Sequence, residues 1–567
     1  MIGCWTDRDV VCWQENNRAA IVIGSHDGTA EYIRGSLQKL SRYEGFRLFA
    51  LGLRGSFHVM ASIDGDTVAQ GSVTGSRRLF YNSCGAVPVA ANRADLLAEV
   101  ARSEINVTAL ASRMLYPSAP HPVESISMWT GVVPVPEDST LTIQCTGKIS
   151  LQKWWIPPDS TLSLDTGAER LKEELSISVN AHINGRTVIS ADLSGGLDST
   201  PICFLAARSS AKIFAFTSSG RSSEDDDVYW ADLAAAHLPG IERVIVSPDD
   251  LPTPFESMVG GVSLPLDEPF LGIVNWRRLV STAERLVALG SQHHLTGHGG
   301  DEVLVGSESY VFEMLHRHPI GGFQRLRQHR AMRRWRWVDL LARSIDFRDY
   351  KTWLDDFGAH INPNTANRHL PPSIWGTPDV RLPPWCTSEA CSDVQGLFHS
   401  IAATTLPLAR DRSQHAAIDA VRGSGRASRL LDQIMRTVSL PMSAPLLDDR
   451  VVECCLAVRD DEKSNPWQYK PLMVSAMRGS IPDEVLSRST KPNFTLDAHQ
   501  ARRTQVHQLL SLCENSRLAG FGLVNEQLLR DACLGAGTPV PQVALWRTLA
   551  CELWLRSIEK HHITKIL

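Results

Sequence analysis

Apolar and polar residues alternate with a period of two over FHVMASIDGDTVAQGSV (57–73), which predicts two strands meeting at the DGD turn. RLFYN and AVPVAAN continue as short strand-like pieces, and LTIQCTGKISLQKWW (141–155) predicts a second hairpin around Thr146-Gly147. Between them ADLLAEVARS has helical spacing. Pro157-Pro158 and DSTLSLDTG then interrupt the pattern as a linker, with Ser or Asp placed to cap a following helix. Beyond residue 165 the period changes. AERLKEELSISVNAHI has apolar residues at three- and four-residue spacing, as an amphipathic helix should. TVISADL (187–193), KIFAFTSS (212–219) and ERVIVS (242–247) are near-continuous apolar strands, separated by the helical PICFLAARSS and EDDDVYWADLAAAHL. NWRRLVSTAERLVAL is helical again, and HHLTGHGGDE opens as a strand. Strands apolar on both faces, alternating with helices, predict a parallel sheet covered on both sides. The expected fold class is α/β. A β-rich sandwich over residues 1–155 precedes a doubly wound parallel-sheet domain over 165–567, which turns mostly helical from about residue 305.

Composition narrows the class without naming it. The 567 residues suffice for two to four domains, and 43% apolar with 21% charged residues is ordinary globular usage. A net charge of -5 demands neither nucleic acid nor an anionic membrane as partner. No apolar run reaches the ~18 residues that span a bilayer. The start, MIGCWTDRDVVC, lacks the basic and apolar regions of a signal peptide. Twelve scattered cysteines without a CxxC pair read as reduced thiols of a cytoplasmic protein. Lysine is scarce, 11 against 46 arginines, so a lysine inside a motif stands out.

The chemistry concentrates in two glycine loops at predicted strand ends, where ligands of parallel sheets bind. SGGLDST (194–200) joins a strand to a helix. Gly195 and Gly196 let backbone approach a ligand, the helix start presents free N–H groups, and Ser194, Ser199 and Thr200 add hydroxyls. This is a cradle for a phosphate chain, and not the Walker loop, since no lysine follows the glycines. Asp198 inside such a cradle calls for a cation, and Mg²⁺ shared between a carboxylate and phosphate oxygens is the usual one. LTGHGGDE (295–302) repeats the arrangement with Gly297, Asp301 and Glu302. If the two strands are neighbours, Asp301 faces Asp198 as a second metal carboxylate; either acid alone would read as a turn or cap residue. The acidic run Glu224–Asp227 reads as the solvated start of a helix. The stretch QHRAMRRWRW (328–337) reads either as a partner surface or as an exposed amphipathic helix.

SGGLDST resembles the pyrophosphate loop of the asparagine synthetase superfamily, whose members cleave ATP to AMP and pyrophosphate. The resemblance continues in order through FAFTSS (214–219), LDEPF (266–270), LTGHGGDE, APLLDDRVVE (444–453) and the segment from YKPLM to STKPNF (469–494). The N-terminal GSFHVMASIDGD...RRLFYN is similar to the glutaminase (Ntn-hydrolase-like) domain of asparagine synthetases. That resemblance implies ATP and pyrophosphate contacts from Leu193, Ser194, Gly195, Gly196, Asp198, Ser199, Thr217, Gly297 and Lys470. It implies Mg²⁺ on Asp198 and Asp301, and chemistry at Lys491, His298 and Glu302. One departure matters. A glutaminase of this family uses an N-terminal cysteine whose own amine is the base, whereas residue 2 is Ile2 and the first cysteine is Cys4, so the expectation is a domain inactive on glutamine. Members without that cysteine, the β-lactam synthetases and lasso peptide cyclases, use an amine of their own substrate. The histidine of GHGGDE is most similar to the lasso cyclases, in which it would take a proton from the attacking amine. The resemblance therefore implies an ATP-dependent macrolactam synthetase acting on a linear precursor peptide, with a leader-peptide-binding protein and a leader peptidase as partners. Amidation of a small carboxylate, as in asparagine or β-lactam synthetases, is the alternative, and a non-catalytic scaffold a third.

Overall fold

The computed structural model describes residues 9–37, 43–82, 87–222, 225–258, 266–361, 371–376, 380–490, 495–536 and 540–566. Among the described residues nine strands precede residue 155: β1 (Val10–Glu15), β2 (Arg18–His26), β3 (Gly55–Ile63), β4 (Asp66–Gln70), β5 (Phe80–Asn82), β6 (Val89–Ala91), β7 (Val132–Pro134), β8 (Ser139–Ile143) and β9 (Ile149–Lys153). They form two antiparallel sheets, ordered β1-β2-β3-β4-β8-β9 and β6-β5-β7. The alternating segment 57–73 supplies β3 and β4, closed at Ile63↔Asp66. The segment 141–155 supplies β8 and β9, closed at Ile143↔Ile149. Inward-pointing Val22, Val59, Ala61 and Val68 pack with Phe46 and Phe49 of the helix Tyr43–Leu51.

The helix Leu164–Ile183 opens the second half. Ser163 caps it by accepting the Thr166 N–H, and Leu171, Leu175 and Val179 are its buried stripe. Five strands follow: β10 (Val188–Asp192), β11 (Lys212–Ser218), β12 (Ile241–Val246), β13 (His294–Leu295) and β14 (Met442–Ser443). Every pairing among them is parallel, in the order β12-β11-β10-β13-β14. The chain builds outward from β10 in one direction, then returns to build from β13 in the other. The order therefore reverses between β10 and β13, whose carboxyl ends open onto a crevice where ligands of such sheets bind. Their core unites Ile189, Ala191 and Leu193 with Leu446, Leu447 and Val451. Among the described residues no helix is long and apolar enough to cross a membrane. The ten described cysteines are all free thiols, six of them buried.

A charged seam joins the antiparallel sheets to the long helix Arg412–Arg436. Arg422 and Arg78 flank Glu137 at 3.3 and 3.7 Å. Arg426 and Arg547 hold Glu124 at 2.5 and 3.2 Å. Glu268 of LDEPF pairs with Arg113 at 2.7 Å and with Arg429, which also takes Asp267. Backbone approaches as closely: a Cβ on Gly425 would collide with the Thr74 carbonyl. The stretch 328–337 is not one helix. It spans the end of the helix Pro319–Arg333, a left-handed turn at Arg334, the buried Trp335 and the start of the helix Trp337–Ser344.

Candidate active site

The loop after β10 curls over its own serines. Ser194 Oγ lies 3.0 Å from Ser199 Oγ, the Ser194 N–H donates to Ser199 Oγ at 3.3 Å, and the Gly196 N–H to Ser194 Oγ at 3.4 Å. Gly195 sits at φ +74°, and a Cβ there would run into Trp230, so the position admits glycine alone on both counts. The loop then enters the helix Ser199–Ala206. The loop after β13 lies directly on it. A Cβ on Gly297 would come within 2.6 Å of the Ser199 nitrogen, and one on Gly300 would collide with Asp198 Oδ1. The sequence could only suppose that these loops are neighbours; the fold presses their backbones together.

Asp198 and Asp301 meet at a single point. Lys470 Nζ stands there, 2.5 Å from both oxygens of Asp198 and 2.8 Å from Asp301 Oδ1. The Tyr469 hydroxyl donates to Asp301 at 3.3 Å. The lysine side chain has no solvent exposure. Burial by itself would lower its pKa, but Asp198 and then Asp301 outweigh that and hold it above the ordinary lysine value. Two carboxylates on one cation beside a phosphate cradle are a hard-oxygen set that suits Mg²⁺, which takes one or two carboxylates and completes its shell with phosphate and water.

The asparagine synthase family matches residues 170–556, which carry both loops and Lys470 and make up more than half of the chain. The chain belongs to the asparagine synthase family. It is 23% identical over 546 residues to asparagine synthetase (glutamine-hydrolyzing) 1 of Bacillus subtilis (strain 168), covering 91% of this chain and 79% of that one. Among solved structures, glutamine phosphoribosylpyrophosphate amidotransferase from B. subtilis complexed with ADP and GMP shares 12% identity. That match covers 51% of this chain and 64% of that chain, with a TM-score of 0.17. The allosteric regulatory enzyme of purine biosynthesis shares 10% identity over 43% of this chain and 63% of that chain, with a TM-score of 0.17. This chain spans less than two thirds of either structure, and neither superposes well enough to bear on its fold.

In this asparagine synthase family chain the other expected residues fall into three groups. Leu193 and Thr217 support the cradle from below: Leu193 is buried, and its carbonyl accepts the Thr217 hydroxyl at 2.6 Å. His298 and Glu302 line the second loop. His298 Nε2 lies 3.2 Å from the Ser424 carbonyl. A carbonyl only accepts, so Nε2 carries the hydrogen and Nδ1 of the neutral ring keeps its lone pair. The half-buried Glu302 carboxylate has no hydrogen-bond or ion-pair partner among the described residues. Lys491 and Cys4 lie outside the described residues.

Sequence reasoning missed Arg488. Its side chain, 2% exposed, donates to the Ser194 carbonyl at 2.5 Å and pairs with Asp226 at 2.7 Å and Asp227 at 2.5 Å. Asp226 also accepts from the Thr490 hydroxyl at 2.6 Å and from Trp230 Nε1 at 2.9 Å. The acidic run does start a helix, Asp227–Ala235, as expected, but Asp226 and Asp227 are also the counter-charge of the buried Arg488 (Glu224 is outside the described residues). An arginine three residues before a motif lysine was the available signal. Asp192 was missed too. His294 Nε2 reaches it at 3.2 Å, and His294 Nδ1 lies 2.9 Å from Ser190 Oγ. Burial would raise the Asp192 pKa, but His294 outweighs it and holds the carboxyl below the ordinary range. The acids of APLLDDRVVE are anchors. Asp448 accepts from Ser178 at 2.6 Å and pairs with His182 at 3.1 Å, and Asp449 accepts the Val73 N–H at 3.0 Å.

Proposed function

We propose that this chain is an AMP-forming carboxylate–amine ligase that closes a macrolactam in a linear precursor peptide. The observation that carries the ligase reading is the convergence of Asp198, Asp301 and Lys470 beside the SGGLDS cradle at the reversal of strand order. A carboxylate oxygen of a peptide Asp or Glu attacks the α-phosphorus of ATP, and the bond to the β-phosphate oxygen breaks. The peptide's N-terminal amine then attacks the acyl carbon, AMP departs and nitrogen loses a proton. The N–H groups around Gly195 and Gly196, with the helix start behind them, favour the departing pyrophosphate. Asp198 and Asp301 would hold Mg²⁺, which when bound would neutralise phosphate charge. His298 Nδ1 receives the amine proton, and the Lys491 ammonium stabilises the oxyanion at the acyl carbon. The histidine in GHGGDE favours a peptide substrate, which in turn calls for a protein that binds the leader segment and a peptidase that removes it.

A second reading, amidation of a small carboxylate, is favoured by the likeness to a glutamine-hydrolysing asparagine synthetase over 79% of that relative's length. One assay separates them. The chain is incubated with ATP, Mg²⁺ and either a linear peptide bearing an internal Asp or Glu, or aspartate with glutamine. AMP and a peptide lighter by one water are expected only with the peptide, and Asp198→Asn or Asp301→Asn should abolish both. Lys491→Met should keep AMP formation while cyclised product falls about 10²–10³-fold, roughly 3–4 kcal/mol. Asparagine from aspartate would establish the second reading; ADP in place of AMP would overturn adenylation altogether.

A further inference from the structure

The helices Pro319–Arg333 and Trp337–Ser344 pack over a small buried cluster that includes Val311, Leu326, Trp335 and Leu340. A helix resting on such a cluster normally turns polar residues outward. Here Ile320 is 82% and Ile345 73% exposed, and Phe323, Val338 and Leu341 are exposed with them. Val338, Leu341 and Ile345 stand at i, i+3 and i+7, so the second helix carries an apolar stripe on its outer side as well as its inner one. Phe323 stacks on Trp337 with ring centroids 5.8 Å apart, and Arg330 lies 4.8 Å over the same ring, which joins the two helices into one face.

The charge of this face opposes that of the chain. Residues 315–348 hold nine arginines, two aspartates and no lysine, an excess of seven positive charges in a chain of net charge -5. Arg317 and Arg333 are paired with Asp411 and Glu308. Among the described residues Arg327 and Arg334 have no ion pair, and Arg336 reaches Asp339 only at 3.7 Å. The base of this face touches the segment that precedes Lys470 in the chain. The Tyr310 hydroxyl donates to the Ser464 carbonyl and Arg325 to the Asp461 carbonyl, each at 3.0 Å, and that segment leads to Lys470.

We propose that this face docks a partner protein whose contact surface sets Asp and Glu side chains around an apolar ridge. Charge complementarity selects an acidic partner. Arginine with exposed aromatic and aliphatic side chains is the composition of a protein interface, where the planar guanidinium pairs with carboxylates. Two helices meeting at the Arg334 turn make a poor membrane-surface element, which is normally one strongly two-sided helix lying flat. The proposal is independent of which carboxylate the active site activates.

The test uses the full chain and a fluorescent helical peptide with leucines at three- and four-residue spacing and glutamates elsewhere, beside a twin carrying lysine for glutamate. The glutamate peptide should bind and the twin should not. Arg327→Glu with Arg334→Glu, or Leu341→Ser with Ile345→Ser, should weaken binding at least roughly tenfold while substrate-dependent AMP formation stays unchanged. Affinity unmoved by either double variant would overturn the proposal. So would sedimentation with phosphatidylserine-containing vesicles, or self-association, that these variants abolish; the first would make the face a membrane contact and the second a contact between copies.

Discussion

Lys470 occupies the point where two carboxylates require a positive charge. A lysine without solvent exposure is tolerated only because Asp198 and Asp301 both face it, and their approach to each other is tolerated only because of the lysine. Removing the ammonium leaves two part-exposed carboxylates facing each other without a cation. Lys470→Met should therefore melt at lower temperature than the parent in EDTA, and recover most of that loss as Mg²⁺ is added. The parent should respond less without nucleotide, since its ammonium then stands between the two acids and phosphate oxygens are needed to complete the shell of Mg²⁺ beside it. Differential scanning calorimetry in EDTA and in Mg²⁺ reads this without any substrate. A variant whose melting ignores Mg²⁺ would show that the two acids do not form one cation site. Arg488 teaches the same lesson from the other side: an arginine buried on Ser194 explains two aspartates that looked like surface residues.

At the scale of elements, the decisive contact is loop on loop. β10 and β13 are adjacent and parallel, so their following loops emerge side by side, and Gly297 and Gly300 let them touch. Gly300→Ala places a methyl against Asp198 Oδ1 and must displace either the carboxylate or the helix start Gly300–Leu304. Substrate-dependent AMP formation should fall by about 10²-fold or more, the usual scale for misplacing catalytic groups by an ångström. Far-ultraviolet circular dichroism should be unaltered. Gly423→Ala is the matched control. It lies in the helix Arg412–Arg436, a methyl there meets nothing within 4 Å, and alanine should stabilise the helix by up to about 1 kcal/mol. Equal activity in the two variants would deny the loop contact its role.

For the whole molecule, the charged seam makes the antiparallel half and the long helix one cooperative unit. Glu124 and Glu137 are buried, which alone would raise their pKa values. Arg426, Arg547 and Arg113 around Glu124, and Arg422 and Arg78 around Glu137, more than reverse this and hold both at about 2. A carboxyl depressed in the folded state contributes stability that is complete above its unfolded pKa, near 4.5, and is lost as pH falls toward 2. The part of the denaturant midpoint that Glu124 and Glu137 carry should thus be constant above about pH 5 and fall below about 4.5. Glu137→Gln strands Arg78 and Arg422, so it should destabilise at neutral pH by about 3–5 kcal/mol and show a shallower acid decline. A variant with the parent's full acid dependence would place that dependence elsewhere.

What the sequence determined by itself was whatever its near neighbours fix. Period-two alternation and two turns specified β3–β4 and β8–β9, continuous apolar runs specified β10 to β12, and the Ser and Asp residues of DSTLSLDTG announced a helix cap, which Ser163 supplies to Leu164–Ile183. The two glycine loops and their acids were equally legible, because the glycines and the residues flanking them state locally what the backbone can do. Tertiary structure alone decided the rest. β14 is two residues long and carries no period; only its pairing with β13 makes it a strand. Lys470 lies 272 residues from Asp198, and Arg488 lies 261 from Asp227. Which charge compensates which is settled by the path of the chain between them, and no local pattern records it. The same holds for the basic helices. Their sequence suits a buried or an exposed face alike, and only the position of the cluster beneath them shows which side chains are left facing outward, because burial belongs to an arrangement of elements and not to a residue.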